Sequence, residues 1–291
     1  MVKKFPVFVL CGRDEKKREI LEELDPKDEY EVKCLLPFLG KRMIDWQLEA
    51  LRESPYCGEL LLLGISEDLA TFDYPVHYVP IPLTATFGKK LLAGLEYARS
   101  IGIEDKVFVT SSSDTPGITV EPINEFFEFV ENHLEYDFIQ SVVPDDVTKE
   151  AFGDHQRVIG KFKDIHIYPG EMFSMSEKGI RTGQAIIDET GRGRRRIKKQ
   201  NREKKNSALK PILRIVLRKP RTWPLIIKFL LGRMPIAKGE RLLEIISGLR
   251  VKSAVIKDAG FGMDIDLTED YMKLKKFVCK TKNVPFTDGI S

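Results

Sequence analysis

Carboxylates placed where apolar runs end are the first residues in this chain that could do chemistry. The run Val107-Phe108-Val109-Thr110-Ser111 suits a buried strand and leads straight into Ser112-Ser113-Asp114-Thr115-Pro116. A carboxylate just beyond a strand end lies where open α/β sheets bind ligands. Hard cations such as Mg²⁺ take one or two carboxylates together with substrate phosphates. An aspartate that merely caps the next turn is the plainer alternative. A second acidic stretch, Gly262-Met263-Asp264-Ile265-Asp266, alternates apolar and acidic positions, so an extended backbone turns Asp264 and Asp266 to one side. Thr268, Glu269 and Asp270 after it read as a helix start, with Thr268 as N-cap and two acids in the favourable first turn. A third stretch, Lys33-Cys34-Leu35-Leu36-Pro37, sets a lysine ahead of a proline-containing turn. It is either a surface lysine or a point charge for a phosphate.

These residues need a scaffold, and the first half of the chain supplies the pattern of one. Apolar runs at 5–11 (FPVFVLC), 59–65 (ELLLLGI), 76–79, 107–111 and 138–143 read as strands buried on both faces. Helical periodicity lies between them at 43–53, 89–99 and 122–133, and 13–28 reads as a loop or a short exposed helix. This alternation predicts a mostly parallel sheet with helices on both faces. Its ligand loops then follow Cys11 and Ser111. The second half is less regular. Short strand-like pieces occupy 158–173, and a helical region at 209–249 is interrupted by Pro211, Pro220, Pro224 and Pro235. A last strand at 254–256 and a helix at 271–279 close the chain.

Composition narrows the classes. The chain has 291 residues, 42% of them hydrophobic, enough for a real core. Its net charge of only +3 gives no global pull toward nucleic acid. The four cysteines form no C-x-x-C pair, so they read as reduced thiols of a cytosolic protein rather than as zinc ligands. Lys3 and Lys4 ahead of an apolar run give only a faint look of a signal peptide, because the run is too short and a charged stretch follows. No stretch approaches the ~20 apolar residues that cross a bilayer.

Charge is concentrated locally. From Arg192 to Arg221 lysines and arginines recur with Glu203 as the one acid, beside the apolar stretches 211–217 and 223–231. Three readings stay open: a surface that binds the acceptor or closes over it, plain structural helices, or contact with an anionic membrane across 192–231. RNA binding is opposed by the lack of aromatic interleaving apart from Trp223.

Taken together, the motifs resemble the MobA-like nucleotidyltransferases, relatives of the sugar-phosphate cytidylyltransferases and uridylyltransferases. The family's opening loop, L-A-G-G-x, is matched by Leu10-Cys11-Gly12-Arg13. Its K-x-L-x-P is matched by Lys33 to Pro37, and its G-K-x-M-I by Gly40-Lys41-Arg42-Met43-Ile44. Its D-x-P appears as Asp114-Thr115-Pro116, and its closing D-x-D-T-P-E-D as Asp264-Ile265-Asp266-Leu267-Thr268-Glu269-Asp270. The resemblance covers roughly 5–190 and 250–280. It departs at the first loop, where Cys11 stands in place of one of two adjacent glycines.

The resemblance implies a Rossmann-like, three-layer α/β fold of the GT-A type with a mostly parallel mixed sheet. It implies one nucleotidyltransferase-like domain over 1–291, carrying a basic helical insertion at 190–250. The reaction implied is transfer of an NMP group from an NTP to a phosphorylated acceptor, small or lipid-linked, with release of pyrophosphate. Lys33 and Asp114 are the implied catalytic residues. Leu10, Cys11, Gly12, Arg13, Lys33, Thr86, Gly88, Lys89 and Ser113 are the implied nucleotide contacts, and Asp114 with Asp266 and Asp264 the implied Mg²⁺ ligands. Arg13, Lys16, Lys17 and Arg18 could substitute for the missing loop glycine as side-chain phosphate ligands, or could be a solvated face. Two other readings remain: a glycosyltransferase using a nucleotide sugar on the same fold, and a nucleotide-binding module without catalysis.

Overall fold

In the computed structural model the strands form where apolar residues run together. The structure describes residues 2–13, 19–153, 160–184 and 220–286. Lys16, Lys17, Arg18 and the basic tract 185–219 lie outside the described residues. Strand β1 (Phe5–Leu10) is central. It runs parallel to β4 (Cys57–Leu63) on one side and to β6 (Val107–Ser112) on the other. The short β5 (His77–Val79) extends the sheet beyond β4.

β1 shows how two helical layers arise from one strand. Phe5, Val7 and Val9 join a core cluster with Ile44, Leu48 and Leu51 of α2 (Met43–Glu53) and Ile123, Phe126 and Phe127 of α4 (Val120–Glu131). Phe8, on the other face, joins Leu91, Leu95 and Ala98 of α3 (Phe87–Ser100). Strand alternation thus sends successive residues into opposite layers. Each fully buried phenylalanine of this set contributes about 1.5–3 kcal/mol through desolvation.

Beyond β6 the sheet changes direction. β9 (His166–Ser176) lies antiparallel between β6 and β7 (Phe138–Pro144), and β10 (Val251–Val255) runs parallel to β7 at the edge. The order is β10-β7-β9-β6-β1-β4-β5, with β8 (Gly160–Lys161) hydrogen-bonded to β9. A hairpin, β2 (Pro37–Phe38) and β3 (Lys41–Arg42), stands apart. The expected three-layer α/β architecture with a mostly parallel sheet is present, and its one long antiparallel strand lies where the sequence suggested only short pieces.

Three other expectations change. The stretch 13–28 contains helix α1 (Glu19–Leu24), and its Ile20, Leu21 and Leu24 are buried rather than exposed. They pack in a cluster with Met263, Ile265, Tyr271 and Leu274, so α1 is a lid on the closing acidic stretch. Helix α5 (Asp145–Phe152) follows β7 directly and had no sequence expectation. The helical region ahead of β10 resolves into α6 (Trp223–Leu230) and α7 (Ile236–Ser247) among the described residues. Finally, Leu267, not Thr268, is the N-cap of α8 (Thr268–Thr281). The Asp270 carboxylate accepts the Leu267 N–H at 3.1 Å, and the Thr268 hydroxyl donates instead to Glu23 of α1.

Candidate active site

The carboxyl ends of β1, β4 and β6 lie on one edge of the sheet, and the candidate residues gather there. Lys33 opens a single 3-10 turn, Lys33–Leu35, whose residues are all buried. Its ammonium group meets the Asp114 carboxylate and donates to the Ile265 carbonyl. It also lies 3.4 Å from Asp266 Oδ1. One lysine therefore joins two acidic loops separated by some 150 residues of chain.

Asp114 is held from several directions. Ser112 donates its hydroxyl to Asp114 Oδ1, and the Asp114 carbonyl accepts the Ile265 N–H at 3.2 Å. Below it, buried Gln47 of α2 donates to the Ser111 hydroxyl at 2.6 Å and accepts from Thr115 at 2.7 Å. Burial alone would raise the pKa of Asp114, but the Lys33 charge, its hydrogen bond and that of Ser112 outweigh it and hold the carboxyl below its usual range. Asp114 is thus kept ionised. Asp266 opposes this slightly by like charge.

The closing stretch reaches the site because two glycines let it lie flat. A Cβ at Gly260 would strike the Gly117 carbonyl, and one at Gly262 would sit 3.2 Å from Val143. The stretch after Gly262 then runs extended, burying Met263 and Ile265 and leaving Asp264 and Asp266 partly exposed. Asp266 is the member of that pair that meets Lys33. Among the described residues no group of three or more His, Cys, Asp or Glu is placed to hold a metal ion. The three aspartates together therefore do not form one, and the carboxylates that converge are Asp114 and Asp266.

The first loop is built differently from its sequence motif. Gly12 has φ +101°, and a Cβ there would strike the Leu83 carbonyl and lie 2.5 Å from the Lys90 ammonium. Gly64, after β4, has φ +111°, and its Cβ would lie 2.6 Å from the Cys11 carbonyl and 3.0 Å from the same ammonium. Lys90, buried on α3, donates to that carbonyl. A glycine from another strand end and a buried lysine thus shape the loop where a second adjacent glycine is missing. Lys90 is the residue that sequence reasoning missed, since only Gly12 and Gly64 hinted at a close approach. Lys89, expected as a nucleotide contact, is exposed beside it.

Cys11 fills the space of the missing glycine with a buried thiol. Burial raises its pKa well above the ordinary value, and contact with Cys34 adds to this. The hydrogen bond from Cys11 lowers that of Cys34. Ser113 donates to the Leu10 carbonyl at 2.7 Å, tying the Asp114 loop to the first loop. Arg13 donates its backbone N–H to Leu83 O at 3.1 Å. Two buried polar atoms here, Arg13 Nε and Thr86 Oγ1, have no partner among the described residues. Thr86 is the N-cap of α3 and Gly88 is buried in its first turn, so these orphan groups flank a helix N-terminus, where anions are favoured.

Comparison with solved structures shows what this architecture is similar to. A hypothetical transferase from Thermus thermophilus superposes with a TM-score of 0.63 at 20% identity, over 92% of this chain and 99% of its own. CMP:2-keto-3-deoxy-manno-octonic acid synthetase, solved with CTP, gives a TM-score of 0.57 at 10% identity, over 95% and 99%. A nucleotidyl transferase from Methanothermobacter gives 0.51 at 12% identity, over 96% and 99%. The chain shares its fold with nucleotidyltransferases of known structure. No protein-family model matches the chain. No curated protein matches it either.

Proposed function

We propose that the protein is a nucleotidyltransferase of the MobA-like kind that transfers an NMP group from an NTP to a phosphorylated acceptor and releases pyrophosphate. The observation that carries this reading is the junction of Lys33 with Asp114 and Asp266 at the carboxyl edge of the sheet. The neighbouring solved structures support it through the fold, and one of them was solved with CTP.

The donor set fits a divalent cation. Two carboxylates, one kept ionised, face a single positive charge, and Mg²⁺ needs only one or two carboxylates when phosphates complete its shell. Asp114 and Asp266 would hold it. When bound, the cation supplies charge neutralisation and Lewis-acid polarisation of the phosphates.

The chain's own groups do the rest. Lys33 sits where that cation's charge is needed, and in the presence of a triphosphate its ammonium trades a carboxylate partner for phosphate oxygens. The first loop, shaped by Gly12, Gly64 and Lys90, and the N-terminus of α3 receive the triphosphate, with Arg13 and Thr86 supplying the polar atoms left without partners. An acceptor phosphate oxygen attacks the α-phosphorus in line, its bond forms as the bond to pyrophosphate breaks, and no general base is required. Positioning and charge stabilisation carry the acceleration.

The reading is tested by pyrophosphate release from each of the four common NTPs with Mg²⁺ and a panel of phosphorylated acceptors. The expected result is release with at least one pair, reduced by about 100-fold or more in Asp114→Ala with the melting temperature retained. Wild-type release by purified Asp114→Ala contradicts the assignment of Asp114. Consumption of a nucleotide sugar with release of NDP instead identifies the glycosyltransferase alternative.

A further inference from the structure

The described residues carry one surface that the site does not use. Helix α6 (WPLIIKFL) is strongly apolar yet buries none of its residues. Trp223, Ile227, Leu230 and Leu231 stand at i, i+4, i+7 and i+8, which is one stripe of a helix. Their exposures are 49%, 57%, 64% and 61%. The opposite side is the one the protein holds. Phe229 packs its ring 5.7 Å from that of Phe162, and Thr222 at the helix start is fully buried. In a helix that merely completes a core, the apolar stripe would face inward. Here it faces out.

The charges along this segment of the chain have one sign. No Asp or Glu occurs between Glu203 and Glu240. Arg221 and Arg233 are exposed at the two ends of α6, and Lys228 is exposed along its flank. An apolar stripe with an exposed tryptophan, bordered by cations in a segment free of acids, is the pattern of a helix that lies in a membrane interface. Among the described residues no helix is long and apolar enough to cross a membrane, so α6 would lie in the plane of the surface. A second copy of the chain is a poorer occupant. A symmetric contact through this stripe would set the cations Arg221, Lys228 and Arg233 of one copy against those of the other, with no acid in the segment to pair them. A nucleic-acid base could stack only on Trp223, leaving Ile227, Leu230 and Leu231 without an apolar partner.

We propose that the outer face of α6 docks on an anionic lipid bilayer. Its place in the fold gives the contact a direction. The backbone N–H of Ile236, at the start of α7, donates to Asp164 in the turn between β8 and β9 at 3.0 Å, and Gly239 packs on Phe162 there. β9 runs antiparallel to β6 and β7, so this turn lies at the same edge of the sheet as Asp114. A bilayer under α6 thus faces the rim that carries the site, the side from which a lipid-linked acceptor would enter. That consequence for the acceptor rests on the reading of the site given above. The docking itself does not.

The test is co-sedimentation of the full-length protein with vesicles of phosphatidylcholine alone and of phosphatidylcholine mixed with phosphatidylglycerol. The stripe is probed by Ile227→Asp combined with Leu230→Asp, both exposed positions, and the charges by Lys228→Glu combined with Arg233→Glu. The expected result is preferential binding to the anionic vesicles, weakened at least tenfold by either pair, with melting temperature and pyrophosphate release in detergent-free solution unchanged. A blue shift of tryptophan emission on vesicle addition, absent in Trp223→Phe, accompanies it. Four results overturn the proposal: no binding to either vesicle, equal binding to both, binding that survives Ile227→Asp with Leu230→Asp, or a wild-type dimer in solution that this pair disperses. Loss of vesicle binding with transfer intact, or the reverse, separates this surface from the active-site reading.

Discussion

Lys33 holds its position through three oxygens from two segments: the Asp114 carboxylate from one, and Asp266 Oδ1 with the Ile265 carbonyl from the other. Lys33, Asp114 and Asp266 were legible as candidates in the sequence through their order and spacing, although each alone also had a plainer reading. Lys90 and Gln47 were not legible. A lysine one position along a helix turns about 100°, and a helix expected to begin at 89 rather than Phe87 leaves that phase undetermined. Gln47 is a polar residue of α2, yet it is fully buried and holds Ser111 and Thr115. The pair Lys89 and Lys90 gives a sharp comparison. Lys90→Met leaves the buried Cys11 carbonyl without its donor, at a cost of about 1–3 kcal/mol in thermal unfolding, and weakens NTP binding. Lys89→Met, on the exposed side, leaves the unfolding free energy within about 0.5 kcal/mol of wild type. Equal destabilisation by the two would contradict the assignment of the inward lysine.

The parallel elements were legible because their strands are continuous apolar runs. β9 was legible only in pieces, because Pro169 and Gly170 interrupt its buried apolar residues. Ser141 donates to the Met172 carbonyl, and Gln140 donates to the Gly170 carbonyl at 2.8 Å, at the point where β7 and β9 slip register. A Cβ at Gly170 would strike the Ser141 hydroxyl, so the glycine that seemed to break the strand permits it. The far end of this half-sheet depends on Asp137. Its carboxylate accepts from Lys178 at 2.8 Å, the Arg250 N–H at 3.0 Å and Ser176 at 3.1 Å, joining β7, β9 and β10. Burial alone would raise its pKa. The bonds from Lys178, Arg250 and Ser176 together reverse that and leave it below the ordinary value. A depressed folded-state pKa means that the stabilisation is fully present above the ordinary carboxyl range and fades as pH falls through it toward the folded value. Urea unfolding of wild type and Asp137→Asn should therefore differ at neutral pH, by about 1–3 kcal/mol, and converge in acid. A difference that is constant or grows on acidification would contradict this role.

For the molecule as a whole, a net charge of +3 conceals an acid-free stretch beside an apolar helix and an acidic rim that shares one buried lysine. The α/β plan and both acidic loops could be read from the chain, since strand ends mark ligand edges in any open sheet. The outward stripe of α6 could not, because periodicity reveals a face without saying whether protein or solvent lies against it. The central claim is that Asp114 and Asp266 together hold a divalent cation under a nucleoside triphosphate. Its most direct test is calorimetric titration of the four common NTPs into wild type and into Asp114→Asn combined with Asp266→Asn, each with Mg²⁺ and with EDTA. The account predicts that at least one NTP binds wild type only with the metal present, and at least tenfold more weakly in the double variant, whose melting curve stays cooperative. Binding that is indifferent to EDTA, or equally tight in the double variant, would contradict it.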